Sequence, residues 1–459
     1  MADGGGRDTR ALGAEIAEDD MERYFNELAT TIDRAMIAGE RHATSFSAEA
    51  SDFIRISRGK VRQPGHVAQR VIEIRLIRGA RHASHALSLS GDAAADADAV
   101  KAAVAGLRNV LPQVSEDPFL LLPTVVAPSR SVRDTPLPPS DAIVDNVVRA
   151  AAGLDLVGLV AAGPVYRGFA NADGQRNWHA VSTFNLQWSL HFRADKAVKA
   201  SYSDVEWHDD ALEQRMRASI EQYSLISRPP MTLKPGRYRA YLAPAAMQEV
   251  FDLLGWSGFS ARALETQQSP LTKMRDAARL DPRVTIREEF ATGVAPLFQA
   301  EGFARPPSVT LVDAGRLTGA LVSPRTAREF DRGANGANGG ESPEALAVDG
   351  GALPTSDALA ALDTGLAVGN LWYLNYSDRP ACRMTGMTRF ATFWVENGKV
   401  VAPIDVMRFD DTIYRMLGDN LDAMTAEREL LLASGTYGSR MLASMTLPGA
   451  LVSAMNFTL

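Results

Sequence analysis

Apolar positions in the first part of the chain change period twice. From 18 to 38, Met21, Tyr24, Phe25, Leu28, Ile32 and Met36 recur at three- and four-residue spacing and stop at Gly39, which predicts an amphipathic helix with a glycine stop. The period then falls: "FIRISRGKV", "QRVIEIRLIRG" and "HASHALSLSG" alternate or run β-branched between glycines, as strands of an antiparallel meander do. A second helix is predicted from about Asp92 to Leu111. After a proline-rich crossing at 127–140, a helix carries Ile143, Val147 and Val148, and strands resume over 154–206 with Asp173-Gly174 as a hairpin turn. The order helix, sheet, helix, helix, sheet fits α+β better than alternating βα units.

A helix from about 210 to 226 runs into "SRPPMTLKPG", where adjacent prolines forbid its continuation. That places a boundary between an N-terminal α+β domain with an antiparallel meander, 1–228, and a β-rich C-terminal domain, 229–459. Beyond the boundary short strands dominate: "SVTLVDAG", "LTGALVS", "NLWYLNYS" and the hairpin "FATFWVENGKVVAPIDVMRF", whose Asn397-Gly398 pair favours a type I′ turn. Only 244–255 and roughly 411–432 read as helices. The run "RGANGANGGESPEALAVDGG", 332–351, reads as a flexible glycine-rich loop too polar to pack.

Composition narrows the functional classes. A chain of 459 residues exceeds one ordinary core, and 46% apolar with 22% charged residues is a globular balance. Acidic and basic residues are interspersed at a net charge of −7, which argues against nucleic acid as the main partner. The single cysteine, Cys382, excludes an internal disulfide. Neither a signal-type apolar stretch at the start nor a run of about 18 apolar residues occurs, so the expectation is a cytoplasmic chain that does not engage a membrane.

Local motifs are mostly disqualified by their own spacing. "GANGANGG" lacks the lysine of a phosphate loop, and "GWSG" fails as a nucleophile elbow because residue 259 is Phe259. In "SDVEWHDD", Asp204, Glu206 and His208 alternate and would share one strand face, offering two hard oxygens and an imidazole; an edge strand with a solvated charged face is the plainer reading. His82 and His85 fall on opposite faces of a strand and cannot chelate together. No His-Glu-x-x-His occurs, so a helix-borne zinc site of that kind is not available. The helix 244–255 carries Gln248, Glu249 and Asp252 among Ala245, Val250, Phe251, Leu253 and Leu254, and reads as a packed helix with an exposed polar side.

Together these stretches resemble the TldD/PmbA family, two-domain proteins associated with peptide cleavage. "ALDTGLAVGNLWYLNYSDRPACRMTGMTRFATFWVENGKVVAPI" is similar to the family's glycine-rich strand, "TGMTR" element and "ENGK" hairpin in order, and "SDFIRISRGKVRQPG" with "RVIEIRLIRGARHASHALS" to its opening meander. The resemblance implies a C-terminal domain of curved, largely antiparallel sheets and a chamber for unfolded peptides. It also implies, in the peptidase branch, a zinc held by a His-Glu-x-x-x-His helix and a cysteine in a glycine-flanked turn. Laid on "MQEVFDLL" and "SGTYGSR", those ligand positions hold Gln248, Leu253 and Tyr437, with Glu249 at the glutamate. Glutamine and leucine supply no imidazole, and a phenol is a poor substitute for thiolate. Cys382 lies in another element. The pattern resembles the metal-free branch, whose members pair with a zinc-bearing TldD-like peptidase subunit. No catalytic residue and no metal are therefore expected in this chain, with zinc in the partner; the alternative is a self-sufficient hydrolase using the Asp204, Glu206, His208 face.

Strands 368–376 and 383–394 are the expected edges for an added peptide strand. In "CRMTGMTRF", strand geometry puts Arg383, Thr385, Met387 and Arg389 on one face, unless Gly386 marks a bulge. Two arginines are costly to bury unpaired, so this face, with Tyr373, is assigned to the chamber or partner surface.

Overall fold

The structure is a computed structural model and describes residues 18–133, 135–193 and 196–458. The spacing of Met21, Phe25, Leu28 and Ile32 gives α1 (Glu18–Ala35), whose apolar stripe is buried against Phe46, Ile72, Ile74 and Trp178 of a sheet. Seven strands form that sheet: β1 (Arg41–Ser57), β2 (Lys60–Arg78), β3 (Arg81–Ser88), β4 (Ser129–Arg133), β5 (Leu156–Asn171), β6 (Arg176–Arg193) and β7 (Lys196–Asp204). Their order is β3-β2-β1-β5-β6-β4, and β4 and β7 share one edge of β6, meeting its residues 177–181 and 184–193 respectively. α2 (Ala93–Val110) starts where the Asp92 carboxylate accepts the N–H groups of Ala94 and Ala95, and it packs beside α1. α3 (Ser140–Ala150) and α4 (Asp209–Ile226) cover the other end of the sheet around Trp188, whose indole donates to Ser219 Oγ at 3.2 Å.

All later strands belong to a second sheet of thirteen: β8 (Gly236–Leu242), β9 (Ile286–Glu289), β10 (Ser308–Asp313), β11 (Arg316–Leu317), β12 (Ala345–Val348), β13 (Gly365–Val368), β14 (Trp372–Asp378), β15 (Arg383–Met387), β16 (Thr392–Glu396), β17 (Lys399–Pro403), β18 (Arg408–Thr412), β19 (Leu421–Leu432) and β20 (Ser444–Phe457). Most pairings are antiparallel; β12 with β20 and β13 with β8 are parallel. β20 is the hub, pairing with β12, β8, β19 and β18, while β14 and β15 hang from β18 as an outer flap. The Asn397-Gly398 turn joins β16 to β17 with both residues at positive φ, as a type I′ turn requires. Each half combines a large, mainly antiparallel sheet with helices, and the second is richer in strand, so the fold is α+β.

Two local expectations are corrected. The stretch 411–432 is not a helix: β18 ends at Thr412, a π-turn covers Arg415–Asp419, and 421–432 is β19. Its Ala, Glu, Leu and Met residues favour helix locally, but pairing along β20 and burial of Leu421, Met424, Leu431 and Leu432 override that preference. Nor is 332–351 an unpacked loop. The Glu341 carboxylate is buried and accepts from Ser260 Oγ, Arg262 N and Ser323 N at 2.6–2.9 Å, and 345–348 is the fully buried strand β12. Polar groups that satisfy one another can be packed. β2 runs unbroken through Pro64, which is tolerated because on that stretch its other side faces away from β3, whose pairing begins only at Val71.

Candidate functional site

α5 (Pro244–Gly255) begins with a proline in its first turn and buries Met247, Val250, Phe251 and Leu254, the i, i+3, i+4, i+7 stripe of a helix laid on β20 and β14. Leu253 is buried as well, and its carbonyl accepts the Tyr376 hydroxyl at 3.0 Å. Beyond its first turn the helix therefore turns Gln248, Glu249 and Asp252 away from the core. Opposite them, from the first sheet, comes Lys199 on β7: its ammonium lies 3.8 Å from Glu249 and 5.6 Å from the centre of the Phe390 ring. One cation thus faces two carboxylates across the seam between the sheets. Burial raises the pKa of Glu249, with Lys199 opposing the shift. Asp252 is pushed up to about 6, first by desolvation and then by the like charge of Glu249. The Asp252 side chain still meets water, so screening tempers the shift without reversing it.

A second construction crosses the same seam. Between β19 and β20 the chain inserts Arg440, 5% exposed, whose guanidinium donates to Gly163 O and Thr183 O at 2.8 Å each, to Thr183 Oγ1 and to Ser51 Oγ. Gly163 accommodates this with φ +136, and a Cβ there would stand 2.2 Å from Ala50 O. Tyr437, three residues before Arg440, is fully exposed.

The flap carries the remaining predicted residues. Arg383, Thr385 and Met387 do share one face of β15, with Met384 and Gly386 buried on the other. Gly386 does face a break in register on the β14 side, where Met387 pairs with Trp372 and Thr385 with Asn375, while pairing with β18 is regular; glycine is needed because a Cβ would meet Leu374 at 2.7 Å and Phe409 at 2.8 Å. Arg383 pairs with Asp410 at 3.1 Å, and Thr385 Oγ1 donates to Phe409 O and accepts from Arg408. Arg389 lies outside β15, stacked 4.4 Å from the Trp372 ring, beside an exposed Tyr373 at φ +57. β15 is enclosed by β14 and β18, so 383–394 offers no edge there; among the described residues β14 pairs only with β15, which leaves its outer edge open. Asp204 ends β7, Glu206 lies in the bend that follows, and His208 is the residue before α4. The proposed common face does not form, because the strand stops before two of its three members. His208 and Glu206 come within 3.8 Å as an exposed pair, and among the described residues no group of three His, Cys, Asp or Glu could hold a metal. His82 reaches Asp117 at 3.2 Å, apart from His85.

Residues 235–459 match the model of the PmbA/TldA metallopeptidase C-terminal domain. The chain belongs to the TldD/PmbA family. Solved structures share its fold over nearly its whole length: TldE from Thermococcus kodakarensis superposes with a TM-score of 0.75 at 13% identity, covering 95% of this chain and all of that one. A protein of Thermotoga maritima called a candidate modulator of a DNA gyrase gives 0.71 at 14% identity over 95% of this chain and 100% of its own. A similarly named protein of Bacteroides thetaiotaomicron gives 0.71 at 13% over 96% and 99%. No curated protein matches the sequence.

The zinc of the family's peptidase branch does not fit the residues at these positions. Leu253 is core, Glu249 is engaged by Lys199, and Gln248 has no basic nitrogen. Nor does the turn with Tyr437 approach α5. Its Gly438 carbonyl accepts Gln69, whose row crosses β6 at Val181, while the Lys199 row crosses at Ser189. That offset along a strand is on the order of 25 Å. Cys382 is buried and its thiol is pushed up to about 12 by burial, so it offers no thiolate. Lys199, Arg440 and their seam carried no local signal; both are single basic residues that are meaningful only through partners far away in sequence.

Proposed function

We propose that the chain is the non-metal subunit of a TldD/PmbA-type metallopeptidase complex acting on unfolded peptides in the cytoplasm, paired with a TldD-like subunit that carries the zinc. The supporting observation is α5: where the family's peptidase helix would present metal ligands, this helix presents an ion pair to the other sheet and a buried leucine to its own core. Such a helix serves as scaffold. The open outer edge of β14, with Trp372, Tyr373 and Arg389 beside it, is the surface assigned to a peptide strand or to the partner. Among the described residues no helix is long and apolar enough to cross a membrane. The self-sufficient hydrolase is the weaker reading because its three side chains do not share a face.

The test is reconstitution. The chain alone should show no chelator-sensitive cleavage of an unfolded peptide, and should support such cleavage when mixed with a TldD-like protein. Glu249→Gln should leave that activity within a few-fold, because a glutamate without metal or bound water has no proton to transfer. Chelator-sensitive activity of the isolated chain, or a loss of about a hundredfold in the folded variant, would overturn the assignment.

A further inference from the structure

Between the two sheets, where Ser45, Phe46, Arg167 and Gly168 of the first face 296–300 and 441–443, lies a pocket of about 380 Å³. Its polar lining includes Arg167, Arg305, Glu344 and Gln299; Phe298 and Leu442 contribute apolar walls. Arg305 has a partner, since its guanidinium is held by Glu344, by Gly336 O and by Pro296 O. Arg167 has none of equal strength among the described residues. Its two terminal nitrogens donate to Tyr166 O at 2.8 Å and Arg440 O at 3.2 Å, both neutral carbonyls, while Glu49 and Glu344 act on it only through space. Burial accordingly lowers its pKa. The side chain is half-buried, and a guanidinium drawn partly out of water without a bonded carboxylate carries a cost.

A second donor without an acceptor belongs to another residue that lines the same space. Gln299 is 4% exposed; its Oε1 accepts the Glu301 N–H, but its Nε2 donor has no partner among the described residues. The group directly across from Arg167 on β6 is His179, whose Nε2 is bonded to Val294 O at 3.0 Å. Its pKa is lowered to about 4, first by burial and then by Arg133, Arg167 and Arg305, so it adds no competing charge near neutral pH. Two donors in one pocket therefore lack a strong acceptor, and the walls beside them are apolar.

We propose that this pocket binds the C-terminal residue of a peptide, its carboxylate bridging Arg167 and the Gln299 carboxamide and its side chain lying against Phe298 and Leu442. A carboxylate is planar and singly charged and can take two donors at once. The volume suits one or two residues. Glu344 in the lining disfavours a doubly charged phosphate, and apolar walls give a bare inorganic ion nothing to bury. The choice of a peptide as the bearer of the carboxylate rests on the function proposed above, but the binding itself does not require the partner subunit.

Calorimetry on the isolated chain separates the two ideas. An N-acetylated dipeptide ending in leucine should bind as the free acid and bind at least about tenfold more weakly as its C-terminal amide, the difference expected from losing one charge-assisted hydrogen bond. Gln299→Leu and Arg167→Gln should each weaken the acid by about tenfold or more and leave the amide unchanged, with Arg167→Lys retaining part of the affinity. The acid–amide comparison on the parent chain needs no variant, so it decides the matter even if the substitutions impair folding. Equal binding of acid and amide, absence of acid binding at millimolar concentration, or binding of phosphate in place of the acid would each overturn the proposal. A failed reconstitution with intact acid binding would count against the complex and not against this site.

Discussion

At Asp252 the folded chain holds a carboxyl that gives up its proton less readily than the unfolded chain does, because protein desolvates it and Glu249 stands one helical turn away. A raised folded pKa means that the native state binds the proton more tightly, so the group disfavours folding once it must ionise. The penalty is absent below the ordinary aspartate value of 3.8, grows as pH rises, and is complete above about 6. Asp252→Asn removes the charge and keeps the shape. Its melting temperature should match the parent near pH 3.5 and exceed it near pH 7.5, roughly the two sides of that window. A variant that gains nothing on going from acid to neutral would show that Asp252 is not under strain. Lys199 prevents the same accounting from being read at Glu249 alone, since it opposes the shift there.

Among the elements, the outer flap makes the sharpest prediction. β14 pairs with β15 in a ladder broken opposite Gly386, and there Leu374 of β14 and Phe409 of β18 leave no room for a methyl group. Gly386→Ala should cost about 1–3 kcal/mol by overpacking, seen as a lower denaturation midpoint together with faster amide exchange in β14. An unchanged midpoint would show that the flap moves freely. This packing was only partly legible in the sequence. Long periodic segments such as α1, α2, α4 and α5 announced themselves, as did the two hairpin turns at Gly174 and Gly398. β19 did not, because its residues favour helix locally and its strand form is imposed by β20. β12 is four residues long behind a glycine-rich run, too short for a period to register. At the candidate site the polar side of α5 was visible, whereas Lys199 was not: the contact joins residues fifty positions apart, and nothing in either neighbourhood names the other.

Across the whole molecule Lys199 and Arg440 are among several ties between the two halves, beside Arg215 with Glu429 and Lys196 with Ile404 O. Arg440→Ala would leave Thr183 O and Gly163 O without their donor and should cost about 3 kcal/mol or more. Because the loss falls on the seam, the single unfolding transition should divide, the first sheet and the second melting at different denaturant concentrations. One unshifted transition would mean that Arg440 fastens nothing. The hub strand β20 has a consequence in time as well as in space. Leu242 of β8 is paired with Ala450, so a ribosome working from the N-terminus finishes β8 some two hundred residues before the strand that will sit beside it. At about 5–20 residues per second the wait is roughly 10–40 s. The first sheet has all its strands once Asp204 has emerged; the second is denied its centre until β20 is translated. During that interval the nascent chain carries one finished half and one half whose unpaired strand edges are open to trigger-type chaperones or to neighbouring chains on the same polysome.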